Sequence, residues 1–160
     1  MKDPRMATAA TPADLALPVF RHILVPTDFS RGSEAAVTYA LQLAKQTHAQ
    51  LTLLHVLPEP SALDYTLGGF PKAEQDRAEE EASSLLDEAV THAKRTFLEI
   101  DSKLRTGPDL RHEILNTAKE ISADLLVLTT HKSAGWNLLF GSDAEKILEH
   151  APCPILILSF

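Results

Sequence analysis

The chain has a single cysteine, Cys153, in 160 residues. An internal disulfide framework is therefore excluded, and the composition suits a reducing compartment. No apolar run approaches the roughly 20 residues that a membrane-spanning helix needs. Basic excess is missing as well. The formal net charge is −7, which argues against a nucleic-acid-binding face. Metal-ligand spacing is absent too, because His150-x-x-Cys153 alone is too little for zinc. No internal repeat and no second domain can be found.

What is present is enough chain for one domain with a real core. The first 20 residues are rich in Ala, Pro and Thr. Lys2 and Arg5 imitate a signal n-region, but Pro12, Asp14 and Pro18 break any apolar h-region. Residues 1–19 are expected to form a flexible arm and residues 20–160 an α/β domain, in a cytoplasmic protein.

The chain is organised around Leu125–Ser142, LLVLTTHKSAGWNLLFGS. Leu125–Leu128 is a continuous apolar run, as in a strand buried on both faces. Thr129–Phe140 is a loop too long for a simple turn. Gly141-Ser142-Asp143-Ala144-Glu145 then opens a helix, with Ser142 as N-cap candidate and Glu145 completing a capping box. A helix start at the carboxyl end of a parallel strand is where α/β folds place phosphates. Free backbone N–H groups and the helix dipole both point there.

The remaining elements alternate. A strand over Arg21–Pro26 leads into a helix over Arg31–Thr47, capped by Ser30 and with Glu34 in its first turn. A second strand spans Gln50–Leu57. The longest helix, Lys72–Phe97, has Ala78, Ala82, Leu85, Ala89, Ala93 and Phe97 at steps of three and four. Its Glu79-Glu80-Glu81 run points in several directions and is a solvated face rather than a metal site. A third strand over Leu98–Leu104 alternates apolar with polar, as at a sheet edge. A helix follows from Thr106–Asp109 to about Ser122, with Leu110, Ile114, Leu115, Ala118 and Ile121 inward. The fourth helix ends near His150, and a last strand covers Ile155–Ser159. Right-handed crossovers turn this alternation into a five-stranded, mostly parallel open sheet with helices on both faces.

Four segments, ILVPTDFS, LTLLHV, VLTTHK and FGSDAEKILEHAPCPILIL, resemble the universal stress protein family. The resemblance covers about Phe20 to Phe160, and the terminal block is its most specific part. It implies a sheet ordered 3-2-1-4-5 and cytoplasmic homodimers. Many members bind ATP with magnesium; others bind none. The ATP-binding motif is Gly, two residues, Gly, nine residues, then Gly-Ser or Gly-Thr. Its glycines let backbone close on phosphates. Here Thr129 and Lys132 fill the glycine places, and eight residues separate Lys132 from Gly141. His131 and Gly135 keep family positions, and Gly141-Ser142 matches the motif's end. Lys132 brings a cation near the phosphates, and Thr129 and Thr130 bring hydroxyl donors. Asp143 adds a carboxylate that repels them. ATP binding weaker than in motif-complete members is expected.

By the same resemblance, Pro26-Thr27-Asp28 lines an adenosine pocket, and Val56 lies where the family has its adenine wall. The plain alternatives stay open: Asp28 as a backbone acceptor in the turn, and Val56 as core. His55 is expected to be a satisfied histidine rather than a catalyst. His131 has no Ser, Cys or Asp partner at a recognisable spacing and is expected to hydrogen-bond the loop. Trp136 covers a ligand, meets a partner subunit or anchors the loop. Cys153 is a packed small hydrophobe. The strand Pro154–Ser159 should be an apolar edge, which invites pairing with a second copy.

Three functions compete. One is a stress-response module holding ATP or another adenine nucleotide. The second is a dimeric regulatory module of the same family without nucleotide, acting on unknown protein partners. The third is an adenylyl-transferring or adenylyl-cleaving enzyme. The third lacks an HxGH signature, and Thr27–Ser33 lacks the glycines of an SGGxDS loop. At most weak ATP hydrolysis is expected.

Overall fold

A computed structural model describes residues 19–60, 71–129 and 142–159, apart from the side chains of residues 142–145. The elements are β1 (His22–Pro26), α1 (Arg31–Thr47), β2 (Gln50–Pro58), α2 (Lys72–Lys94) and β3 (Ile100–Gly107). They continue with α3 (Leu110–Glu120), β4 (Leu125–Thr129), α4 (Ser142–His150) and β5 (Ile155–Leu158). The sheet is ordered β3-β2-β1-β4-β5. Every neighbouring pair is parallel, a stricter arrangement than the mostly parallel sheet expected.

Unbroken apolar runs are explained by helices on both faces. Ile23, Val25, Leu51, Leu53 and Val127 pack with Ala36, Ala40 and Ala44 of α1 and with Leu86 and Val90 of α2. Their strand neighbours Leu24, Leu54, Val56, Leu126 and Leu128 pack with Ile114 and Ala118 of α3 and Ile147 of α4. The period-two alternation of a strand divides the core into these two layers.

Helix ends follow local chemistry. The Ser30 hydroxyl accepts from the Ser33 N–H at 3.3 Å, so it caps α1 as expected. Asp109 caps α3 by accepting from the Arg111 N–H at 3.0 Å. The Arg111 guanidinium also binds the Asp109 carboxylate and holds it below the usual carboxylate range. α1 ends on His48, whose left-handed φ of 57° turns the chain so that the following Ala49 N–H reaches the Ala44 carbonyl at 3.0 Å.

Three expectations are corrected. α2 buries Ala82, Leu86, Val90 and Ala93, while Leu85 stays exposed. Both leucines sit on a helix rich in alanine, and contact with the sheet selects the stripe. α2 also stops at Lys94 rather than Phe97. β3 runs Ile100–Gly107 rather than Leu98–Leu104, because β2 offers it rungs as far as Pro58–Gly107.

Both sheet edges fall where expected. β3 carries Lys103 and Arg105, both paired with Glu120 of α3, so charge guards that edge. β5 is more apolar, and Ile157 is 40% exposed. Among the described residues, no helix is long and apolar enough to cross a membrane, and no group of three or more His, Cys, Asp or Glu could hold a metal.

Candidate functional site

The chain winds outward from β1 to β3, then crosses back to place β4 on the other side of β1. Where winding reverses, an open α/β sheet leaves a crevice at the strands' carboxyl ends. Register detail places that crevice. Between β1 and β4 the paired positions are Ile23–Leu125 and Leu24–Leu126, and pairing among the described residues stops there. β1 stays with β2 through Pro26–Leu54, and the Thr27 N–H donates to the Leu54 carbonyl at 2.8 Å. β4 stays with β5 through Thr129–Leu158. The next β1 donor facing β4 would be Pro26, which has no N–H, so the hydrogen-bond ladder between the two central strands ends there.

The turn after β1 is held by its own polar groups. Pro26 is buried, and Thr27 is 4% exposed. The Thr27 hydroxyl accepts the Phe29 N–H at 3.1 Å and donates to the Ser33 hydroxyl at 3.1 Å. The Ser33 hydroxyl donates to the Ser30 carbonyl at 2.9 Å. Asp28 Oδ1 accepts the Ser30 N–H at 3.1 Å, which is the backbone role expected of it. Phe29 takes φ 60°, a left-handed conformation that phenylalanine disfavours.

His55 stands behind this turn. Its Nδ1 lies 2.7 Å from the Thr27 carbonyl oxygen. A carbonyl only accepts, so Nδ1 carries the proton. Burial pushes the imidazole below its ordinary value of 6.5, against the opposing pull of the Thr27 carbonyl and the Asp28 carboxylate. His55 is therefore neutral at pH 7. Its ring meets Phe29 with centroids 4.6 Å apart and planes 31° apart. The satisfied histidine expected from sequence is found, with a partner that sequence did not suggest. Phe29 was missed as well. The signal for the His55 contact is the parallel β1–β2 register, which sets His55 level with the turn.

The other candidates divide clearly. Val56 is 2% exposed and packs with Leu24, Leu54, Ile114 and Leu128, so it is core. Thr129 ends β4 and is half-buried. Ser142 is the first residue of α4. Thr130, His131, Lys132, Gly135, Gly141 and Trp136 lie outside the described residues, as does the proposed capping box. Cys153 is half-buried against the second core layer, and burial, then the Asp124 carboxylate, pushes its thiol up. The site thus presents a carboxylate and a neutral imidazole, while the Thr27 and Ser33 hydroxyls are engaged in holding the turn.

An open, fully parallel sheet with helices on both faces, its winding reversed between β1 and β4, defines a doubly wound α/β fold. The family follows from comparison: a family model described as the universal stress protein family matches residues 20–159, and the chain belongs to that family. A universal stress protein of Methanocaldococcus jannaschii is 27% identical over 87% of this chain and 82% of its own length. Universal stress protein YxiE of Bacillus subtilis is 29% identical, covering 87% of this chain and 99% of its own. A crystal structure of a family member from Burkholderia pseudomallei, 28% identical, superposes with a TM-score of 0.68 over 88% of this chain and 96% of that one. Two further structures share the fold. A universal stress protein in complex with cAMP has TM-score 0.65 at 22% identity, covering 89% of this chain and 98% of that one. The Archaeoglobus fulgidus protein in complex with dAMP has TM-score 0.62 at 21% identity, covering 88% and 98%.

Proposed function

We propose that the protein is a stress-response binding module that holds an adenine nucleotide in the crevice between the carboxyl ends of β1 and β4. Pro26, Thr27 and Asp28 form the adenosine side, while Val56 belongs to the core. Thr129, Thr130, His131, Lys132, Gly135, Gly141 and Ser142 form the phosphate side. The carrying observation is the reversal of winding between β1 and β4, where their ladder ends at Pro26 and the turn bearing Asp28 begins. Support comes from two proteins of this fold that were crystallised with cAMP and dAMP. Glycines that would close backbone on a triphosphate are replaced by Thr129 and Lys132. One phosphate suits such a loop better than magnesium-bound ATP, and hydrolysis is at most weak. The working form is a cytoplasmic homodimer joined through Pro154–Ser159, whose β5 edge is apolar and half-exposed.

Calorimetric titration with AMP, cAMP and magnesium ATP tests this, alongside mass spectrometry of nucleotide released on denaturation. AMP or cAMP should bind more tightly than ATP. No heat with any of the three, and no co-purified nucleotide, would overturn it. A second reading is favoured by the same two replaced glycines: a dimeric regulatory module without nucleotide. It predicts an unchanged dimer by light scattering in the complete absence of nucleotide.

A further inference from the structure

We propose that His55 is the positioning residue of this crevice: its Nδ1–H bond to the Thr27 carbonyl and its contact with the Phe29 ring set the turn that presents Asp28. This rests on the nucleotide-site reading for its ligand, and on the described coordinates for its geometry. Besides the bond its hydroxyl gives to Ser33, Thr27 is fixed at three points. Its N–H donates to Leu54, its carbonyl accepts from His55, and its hydroxyl accepts from Phe29. Two of those partners belong to β2 and the third to the turn itself. The turn is therefore anchored on β2.

Phe29 explains why a lock is needed. Its left-handed backbone is disfavoured for a bulky side chain, so the turn would relax unless tertiary contacts hold it. The His55 ring provides one such contact. Adjacent residues on β2 face opposite layers. His55 reaches the turn, while Val56 enters the core layer formed with α3 and α4. One rigid strand thus fixes the turn bearing Asp28 and is itself anchored in the core by Val56, so a ligand at the turn meets a surface assembled before it arrives. Preassembly of this kind raises affinity by removing the ordering that binding would otherwise require.

A merely space-filling His55 would be indifferent to its proton and its donor. The test compares the full-length protein with His55→Asn, His55→Leu and Phe29→Leu. Asparagine keeps a donor at the Nδ1 position; leucine keeps bulk alone. In the unaltered protein, two-bond proton–nitrogen spectra should show the Nδ1–H tautomer. His55→Leu should speed amide exchange at Phe29 and Ser30 by about tenfold or more, as loss of one buried hydrogen bond implies. Exchange in β4 and β5 should not change. His55→Asn should restore most of the protection, and Phe29→Leu should lose part of it. AMP affinity should follow the same order, falling about tenfold in His55→Leu. An Nε2–H tautomer, unchanged exchange at the turn, or an asparagine variant no better than leucine would overturn the proposal. If His55→Leu does not fold, the tautomer and the asparagine and Phe29 variants decide. If the unaltered protein takes no AMP, the nucleotide site falls by itself, because tautomer and exchange still decide the positioning role.

Discussion

β1 is stitched differently at its two ends. At the amino end the tethers run to both neighbours: the Arg21 carbonyl accepts the Gln50 N–H of β2 at 2.8 Å, and the rest reach toward β4. The Asp124 carboxylate accepts the Arg21 N–H at 2.8 Å and the His22 N–H at 3.0 Å. The Asp124 N–H in turn donates to the His22 carbonyl at 3.0 Å. At the carboxyl end the Thr27 N–H and carbonyl are held by β2, and its hydroxyl by the turn and Ser33 of α1. Histidines take part at both ends, donating through different ring nitrogens. The Thr52 hydroxyl gives its proton to Asp101 at 2.5 Å, so His22 Nε2 donates to Thr52 at 2.8 Å. His55 donates through Nδ1 instead. The β1–β4 ladder therefore gains carboxylate bonds at its amino end and stops at Pro26 at the other. Winding order puts the switch point between β1 and β4, and a proline with no N–H to give decides how far their ladder runs.

The largest expected effect comes from the last shared rung. Leu24→Ala, at a fully buried position, should lower stability in urea titration by about 2–5 kcal/mol. A loss under about 1 kcal/mol would mean the rung does little to hold β1 against β4. Next, the two ends should separate by readout. Asp124→Ala removes the acceptor of two backbone donors and should cost about 2 kcal/mol of stability while leaving nucleotide affinity unchanged. Asp28→Ala should do the reverse, costing under about 1 kcal/mol while weakening AMP binding by about tenfold. If both variants change both quantities alike, the contrast between the ends is wrong. Ser30→Ala removes the α1 cap and should cost about 1 kcal/mol by thermal denaturation.

The smallest effect is a slope with pH. The folded-state pKa of His55 lies below its unfolded value of 6.5. Folding therefore excludes a proton, and the stability this group supports is present above pH 6.5 and lost as pH falls toward the folded value. Thermal midpoints measured downward from pH 7 should fall more steeply in the unaltered protein than in His55→Leu. Equal slopes would show that His55 is not desolvated as described.

Some features could be read locally and some could not. The span of α1 and its Ser30 cap follow from residues within a few positions of each other. The buried strands follow from Ile23–Val25, Leu51–Leu54 and Leu125–Leu128, whose apolar runs have no other economical use. The inward stripe of α2 failed because Leu85 and Leu86 offer two faces of similar hydrophobicity. β3 was misplaced because Leu98 looks like strand, yet it is 76% exposed. Its true rungs are supplied by β2. The backbone role of Asp28 was local, two residues from Ser30, and so was foreseen. The grip of His55 on Thr27 spans 28 residues and was not. Of the phosphate-side candidates, only Thr129 and the backbone of Ser142 fall among the described residues.

Pattern and motif alone were enough to fix an alternating α/β chain, its family and the approximate limits of its elements. Each of those depends on hydrophobic periodicity or short-range capping, which act between neighbours in the chain. Which leucine of α2 faces inward, which rungs β3 takes from β2, and which ring nitrogen of His55 carries the proton were settled only once distant strands came into register. Those outcomes depend on contacts whose partners lie tens of residues apart, and local preference has no hold over them.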